Sequence, residues 1–280
     1  MSAIEIGSIF AAPSYPPAVP EDFDRCVKLL QKRAGIVLGE HKREMIGRIL
    51  GARAKAVNMQ TIRSYLDLLA QNPGAQEWEH FINAFTINHT AFFRERHHFE
   101  MLADFVKRRR APVSIWCCAA STGEEVYTIA LTLAQAGHTA ENGARIWATD
   151  IDTEAVQRAR QGVYSMDRVK PVPPDRLRTY FQRGTGKNAG MVRVKPVLRN
   201  MVEFDVLNLL DPSWPIQGKF DAIFCRNIMI YFDKETQSRI LDRFAPVLKP
   251  DGLLFAGHSE NFTYLTKAFR LRGQTVYVRS

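Results

Sequence analysis

Two hydrophobic rhythms divide the chain near residue 112. Before it, apolar residues recur three and four apart: Phe23, Val27, Leu29 and Leu30, then Met45, Ile46, Ile49 and Leu50, then Tyr65, Leu66, Leu68 and Leu69, then Trp78, Phe81, Ile82 and Phe85. That spacing lines one face of a helix. Gly35, Asn58 and Asn72-Pro73-Gly74 punctuate the segments. The pattern predicts a helical N-terminal domain over 21–95, then a connector over 96–112 whose helix, Phe99–Val106, ends in Lys107-Arg108-Arg109-Arg110. Residues 1–20, with Pro13, Pro16, Pro17 and Pro20, read as a flexible tail.

After Pro112 short apolar runs alternate with helical stretches. Strands are expected at Val113–Ala119, Ala144–Thr149, Met201–Val206, Phe220–Cys225 and Leu253–Gly257, with helices from the Ser-Thr-Gly turn to Ala136, over Thr153–Gln161 and from Asp233 to about Leu248. Lys249-Pro250-Asp251-Gly252 reads as a turn, and Phe269–Leu271 with Thr275–Val278 as a closing hairpin. Strand–helix alternation predicts an α/β domain over 113–280, a parallel sheet that binds ligands at the carboxyl ends of its strands. The segment 182–200 breaks the rhythm, being rich in glycine and basic residues, and predicts a small antiparallel β-insertion with an exposed edge.

Composition narrows the class. Of the 280 residues 46% are hydrophobic and 24% charged, as in a folded domain. No uncharged apolar run reaches the ~18–20 residues a spanning helix needs, and the N-terminus lacks the basic start and apolar stretch of a secretory signal. Cys26, Cys117, Cys118 and Cys225 form no C-x-x-C pair and read as reduced thiols of a cytoplasmic protein; no metal site is expected from the histidine and cysteine spacing. The net charge is +9, and Arg25–Arg63 carries ten Lys/Arg against two acids, which suits an acidic partner.

The chemistry concentrates at Trp116-Cys-Cys-Ala-Ala-Ser-Thr-Gly-Glu-Glu125, where a strand meets a helix through Gly123. The dinucleotide fingerprint G-x-G-x-x-G is missing, and Glu124 and Glu125 stand where a pyrophosphate would lie. Such a turn disfavours a dinucleotide dehydrogenase and suits a cofactor with a sulfonium and no phosphate, such as S-adenosylmethionine. Asp150, at the end of the second strand, is placed for ribose hydroxyls, and Asp152 for capping the next helix. Asn208-Leu209 offers an amide and an apolar face to an adenine. Cys225-Arg226-Asn227-Ile-Met-Ile-Tyr231 lacks the paired prolines common in enzymes that methylate amines or bases.

Asn88-His-Thr90-Ala-Phe-Phe-Arg94-Glu95, the Ala-Ala-Ser-Thr-Gly-Glu-Glu turn, Ala148-Thr-Asp-Ile-Asp152, Phe220–Tyr231 and Leu253–Asn261 closely resemble the CheR family of bacterial chemotaxis receptor glutamate methyltransferases, over about residues 21–280. The resemblance implies a seven-stranded Rossmann-like class I methyltransferase domain behind an all-α domain. It implies methyl transfer from S-adenosylmethionine to glutamates of membrane chemoreceptors, giving γ-methyl esters and S-adenosylhomocysteine, in sensory adaptation. By motif position Asn88, Thr90, Arg94, Glu125, Asp150, Asn208, Leu209, Arg226 and Asn227 fall at the cofactor, and Arg94 and Tyr231 beside the transferring methyl. The insertion's Arg183, Gly184, Gly186, Gly190 and Arg193 match a subdomain that in some members holds a receptor's C-terminal pentapeptide. The expected partners are the receptor's helical methylation region and that tail, reached by a monomer that meets the membrane only through receptors. An RNA methyltransferase, suggested by the charge, and a cofactor-sensing scaffold are the competing readings; neither nucleic acid nor a metal is expected here.

Overall fold

The computed structural model describes residues 19–110 and 112–280, so most of the expected tail, 1–18, lies outside the described residues. The described chain forms two compact units, 19–33 with 37–85, and 34–36 with 86–280.

The first unit contains helices α1 (Pro20–Ala34), α2 (Arg43–Ala56), α3 (Ile62–Gln71) and α4 (Glu77–Phe85). Their buried stripes are the ones the spacing gave: Leu30, Ile46, Leu50, Tyr65, Leu66, Leu69, Trp78 and Phe81 are all at or near zero exposure. Thr61 starts α3 because its hydroxyl accepts the Ser64 amide at 3.1 Å. The basic surplus is largely answered inside this unit. Arg25 meets Asp67 at 2.6 Å, Arg53 meets Glu77 at 2.7 Å and Arg63 meets Glu21 at 2.5 Å. Over 19–85 ten Lys/Arg face eight Asp/Glu, whereas over 86–280 the balance is 28 against 20. Most of the positive surplus therefore belongs to the second unit.

The second unit opens with a loop over 86–96 and helix α5 (His97–Lys107). There follow β1 (Ser114–Cys117), α6 (Glu124–Gln135), β2 (Arg145–Asp150), α7 (Thr153–Gln161), β3 (Val163–Ser165), α8 (Pro174–Tyr180), β4 (Phe181–Arg183), β5 (Met191–Val194), α9 (Pro196–Arg199), β6 (Val202–Val206), β7 (Phe220–Cys225), α10 (Lys234–Val247), β8 (Leu248–Ala256), β9 (Phe269–Gly273) and β10 (Val276–Arg279). One sheet has seven strands in the order β6-β2-β1-β7-β8-β10-β9, parallel through β8 and antiparallel in the closing hairpin. Its two faces bury separate clusters. Adjacent Cys117 and Cys118 fall into different ones, as alternation along a strand requires. Asp152 and Asp233 cap α7 and α10, accepting the Ala155 and Thr236 amides at 2.9 and 2.8 Å.

Two details differ from expectation. Lys249–Gly252 is not a free turn but part of β8, where the pairing with β7 shifts register between Phe220 and Ala222. The small antiparallel sheet, β3-β5-β4, reaches outside 182–200 to take its third strand from Val163–Ser165, and 182–200 itself includes α9. Its Tyr164 hydroxyl donates to the Thr122 carbonyl at 2.8 Å, tying this sheet to the turn after β1.

That turn depends on Gly123, whose φ of +96° is left-handed, and where an added Cβ would lie 2.7 Å from the Tyr164 hydroxyl and 2.9 Å from the Ala159 Cβ. Gly123→Ala is expected to lower unfolding free energy by about 1–3 kcal/mol. Denaturant titration checks this, and a change below about 0.5 kcal/mol would contradict it.

Candidate functional site

The expected site residues come from five segments that meet at the carboxyl ends of β1, β2, β6 and β7. The 86–96 loop is anchored by Asn88. Its amide nitrogen donates to Asp152 at 2.7 Å, and its amide oxygen accepts from the Ser121 hydroxyl at 2.8 Å. Thr86 adds a 2.5 Å bond to the same Asp152 oxygen. Phe92 packs edge-on against Tyr164 and Phe181 of the small sheet, with ring centroids 5.0 and 5.8 Å apart. Thr90 lies half-buried within this loop.

Arg94 stands between two non-glycine residues in left-handed conformation, Phe93 at φ +57° and Glu95 at φ +55°. Such conformations persist only where the surroundings impose them. Here the imposing group is Arg226. Its guanidinium has no exposed surface and donates to the Arg94 carbonyl at 2.7 Å. It also pairs with Glu95 at 3.2 Å and with Glu125 at the start of α6. Arg94's own side chain is one-third exposed; one guanidinium nitrogen donates to the His89 carbonyl at 2.8 Å, and Nε lies 4.0 Å from Glu95. The loop thus fixes the backbone of Arg94 and leaves its charged end at the surface of the site.

The charges of this cluster shape one another. Burial works to raise Glu95, but the Arg226 charge and a backbone hydrogen bond from His258 hold it below the ordinary carboxylate range. Burial pushes Glu125 up, against the pull of Arg226 and the Cys117 thiol. Burial also disfavours the charged form of Arg226, yet the two glutamates outweigh it and keep it charged. His98, fully buried, is lowered to about 4 by burial and by Arg226, and is neutral near pH 7; its Nε2 bonds the Gln274 carbonyl at 2.9 Å. Glu95 and Glu125 thus face two guanidiniums, Arg226 and Arg94.

Asp150 closes β2. One oxygen accepts the Ser121 amide at 2.7 Å and the other the Asp152 amide at 3.0 Å, and the Leu207 amide donates to its carbonyl at 2.9 Å. This last bond brings Asn208 and Leu209 beside Asp150. Leu209 is buried, and the Asn208 side-chain oxygen accepts the Leu210 amide at 3.0 Å. Asn227 follows β7 with φ +59°, held by Glu260, which accepts the amides of Asn227, Met229 and Gly257 at 2.9, 2.8 and 2.6 Å. That staple also sets Tyr231, half-buried at the end of a single 3₁₀ turn over Met229–Tyr231. Arg183, Gly184, Gly186, Gly190 and Arg193 stay apart from this assembly, in and around the small sheet.

One inference from the sequence needs correction. Glu124 and Glu125 are not bare charges at a helix start: Glu124 is bound by Arg168 and by the Thr122 hydroxyl at 2.6 Å, as Glu125 is by Arg226. Their repulsion of a phosphate is correspondingly weaker than two unpaired carboxylates would exert. Glu95, Glu260 and Arg168 also hold the site; only the first two lie in the motifs singled out in the sequence, and nothing in their spacing announces these contacts. Among the described residues no cluster of histidine, cysteine and acids can hold a metal.

The chain matches the family described as CheR methyltransferase, SAM binding domain, over residues 88–278, and the CheR methyltransferase, all-alpha domain, over residues 21–86. The chemotaxis protein methyltransferase of Salmonella typhimurium is 52% identical over 258 residues, covering 92% of this chain and 90% of that protein. The Escherichia coli protein of the same name is also 52% identical, with the same coverage. Chemotaxis protein methyltransferase 2 of Pseudomonas aeruginosa is 47% identical, covering 92% of each chain.

Burial raises the Asp150 carboxyl to about 6, against the amides of Asp152 and Ser121. An unfolded chain releases that proton near pH 4, so between about pH 4 and 6 the folded state binds the extra proton and rising pH lowers stability, by up to about 3 kcal/mol for two units. Denaturant unfolding of the ligand-free protein across pH 4–7 should show this leg, and Asp150→Asn should flatten it. An unchanged slope in the variant would assign the effect elsewhere.

Proposed function

The chain belongs to the CheR methyltransferase family, and from that premise we propose that Arg94 presents an ionised receptor glutamate to the methyl group of S-adenosylmethionine. The activity is methylation of chemoreceptors in chemotaxis, giving glutamyl γ-methyl esters and S-adenosylhomocysteine.

The residues present fit that cofactor. Asp150 takes backbone amides from Ser121, Ile151 and Asp152 and no cation, and its two oxygens offer about four acceptor positions, so at least one stays open to a ribose hydroxyl. Asn208 and Leu209 lie next to it for the adenine. Glu95, held ionised by Arg226, supplies a carboxylate to the sulfonium's side of the site, with Asn88, Thr90 and Asn227 around it. Arg226 spends its guanidinium on protein groups, so in this reading it contributes by holding Glu125 and Arg94 and by its main chain. S-adenosylmethionine supplies an electrophilic methyl group, and the protein supplies position.

A glutamate with a pKa near 4.3 is already the nucleophile at pH 7 and needs no base. Arg94 grips one carboxylate oxygen and aims the other, Tyr231 confines the side chain, and the clamped backbone keeps the guanidinium from following the acceptor away. Orientation of this kind is worth roughly 7–11 kcal/mol. The observation that carries the reading is the pairing of a rigidly held Arg94 backbone with a one-third exposed side chain. With labelled S-adenosylmethionine and receptor-rich membranes, the protein should place base-labile methyl groups on receptors; base-stable label alone would reject it. Arg94→Ala should lose at least about 100-fold in turnover with cofactor affinity changed far less, since a single charge-assisted contact of the transition state is being removed. Unchanged turnover would take Arg94 out of the mechanism.

The reading extends to the small sheet. Its central strand is β5, which leaves β3 and β4 as edges for a receptor's C-terminal peptide, with exposed Arg183 and Arg193 and the turn glycines Gly184, Gly186 and Gly190 beside them. Tethering there would raise the local concentration of methylation sites toward the mM range. Titration with such a peptide should show binding that Arg193→Ala weakens; no binding to any native receptor tail would leave the sheet a structural support. The protein is taken to act in the cytoplasm as a monomer; among the described residues no helix is long and apolar enough to cross a membrane.

A further inference from the structure

Strand β9 ends the seven-stranded sheet and, among the described residues, pairs only with β10, so one side of its backbone is an edge with no described partner. Register fixes which way Phe269–Leu271 face, and an irregularity leaves Arg272 without a partner where pairing steps from Gly273–Val276 to Leu271–Tyr277. Leu271 lies opposite Tyr277, on the face that also buries Phe262 and Phe269, and it is 49% exposed. Arg270 lies opposite Val278, whose contacts belong to the other face, the one α5 covers. Arg272, two residues on, lines a cleft of about 640 Å³ on that same face with Met101, Phe105, Arg108 and Arg110.

The charges in this cleft are unbalanced. Its two acids are already engaged: Asp251 with Arg109 at 2.7 Å, and Asp104 with Lys107 at 3.5 Å. Arg109 is held further by Asp221 at 3.1 Å and by the Phe105 ring, 4.4 Å from its centroid. Arg108, Arg110 and Arg272 are exposed, and among the described residues no carboxylate pairs with them. Basic residues after Lys107 complement the carboxyl end of α5, but that account does not reach Arg270 and Arg272, which come from another element. Nor is this edge suited to a copy of itself, because two β9 strands would set arginine against arginine.

We propose that the β9 edge and the arginine cleft form one docking surface for an extended acidic segment of another protein, in which acidic residues alternate with apolar ones. The segment adds a strand to β9. Its acidic side chains fall on the α5 face, toward Arg270, Arg272, Arg108 and Arg110, and its apolar ones fall beside Leu271. Main-chain bonds supply affinity, and the two-residue period supplies selectivity. This surface is separate from the small sheet and from the site residues.

The test is fluorescence anisotropy with the full chain and a labelled peptide of about ten residues alternating Glu and Val, at about 50 mM salt. Saturable binding is expected, weakened at least about tenfold by the Arg108→Glu/Arg272→Glu double variant and by raising salt to about 300 mM. Methyl transfer by that variant should remain at the level of the parent protein, and hydrogen exchange should show β9 amides protected by the peptide. A peptide of the same composition with its glutamates in one block should bind at least about fivefold more weakly, because it cannot put every acid on one face. Equal binding of the two peptides would reduce the surface to a general anion patch and overturn strand addition. Binding unaffected by the double variant, binding lost instead in Arg193→Glu, or no saturation at all would each overturn the assignment.

Discussion

A single buried guanidinium organises the site. Arg226 follows directly from the central strand β7, and it joins that strand's end to the start of α6 through Glu125 and to the 86–96 loop through Glu95 and the Arg94 carbonyl. A buried charge pair adds little net stability compared with apolar packing, but removing one partner strands the other at about 3–5 kcal/mol. The cluster therefore specifies an arrangement more than it stabilises a fold. Only a planar fork with several donors can serve two carboxylates and a carbonyl at once, so a lysine there would satisfy part of the cluster and release the rest. The left-handed Phe93 and Glu95 are the local strain that this arrangement enforces.

Around this centre the acids divide by partner rather than by type. Glu125 and Glu124 take arginines, Asp152 caps a helix and holds the loop, and Glu260 gathers three amides. Asp150 takes the amides of Ser121, Ile151 and Asp152 and no cation, and burial leaves its carboxyl well above the ordinary range. With no ion-pair partner among the described residues, it gains from hydroxyl donors. The small sheet is tied into the same frame: Tyr164 and Arg168 reach the turn at Thr122 and Glu124, and Phe92 packs edge-on against Tyr164 from the loop side. A strand added to that sheet would thus act on elements that also set Arg94 and the cofactor turn.

The periodicities carried most of the architecture. Helix α7, strand β7 and the Asp233 cap stand where hydrophobic spacing and capping chemistry put them, because each is decided by residues a few positions apart. What stayed hidden depends on distant partners. The third strand of the small sheet, Val163–Ser165, is too short to show alternation and exists because Arg193 and Val192 lie opposite it. The pairing of Glu124 with Arg168 spans 44 residues, and that of Glu125 with Arg226 spans 101. No local pattern distinguishes these acids from helix-start charges that face water. The charge of the window Arg25–Arg63 overstates the unit's surplus for a related reason: it omits Glu21, Asp67 and Glu77, which fold back onto its arginines.

The same cluster bears on why the reaction is one of placement. His98, which feels the Arg226 charge, is buried, neutral near pH 7 and occupied with the Gln274 carbonyl at the hairpin β9–β10. Protonating it would put a second cation beside Arg226, which is one reason its basicity is suppressed. A group in that state is a poor proton acceptor at neutral pH, and a carboxylate acceptor asks for none. In the proposed reading the side chain that meets the acceptor is instead Arg94, which orients it and takes no proton from it. Any pH dependence of the site then rests with its carboxyls, Asp150 first, where loss of charge below about pH 6 removes hydrogen-bond acceptors rather than a catalytic base.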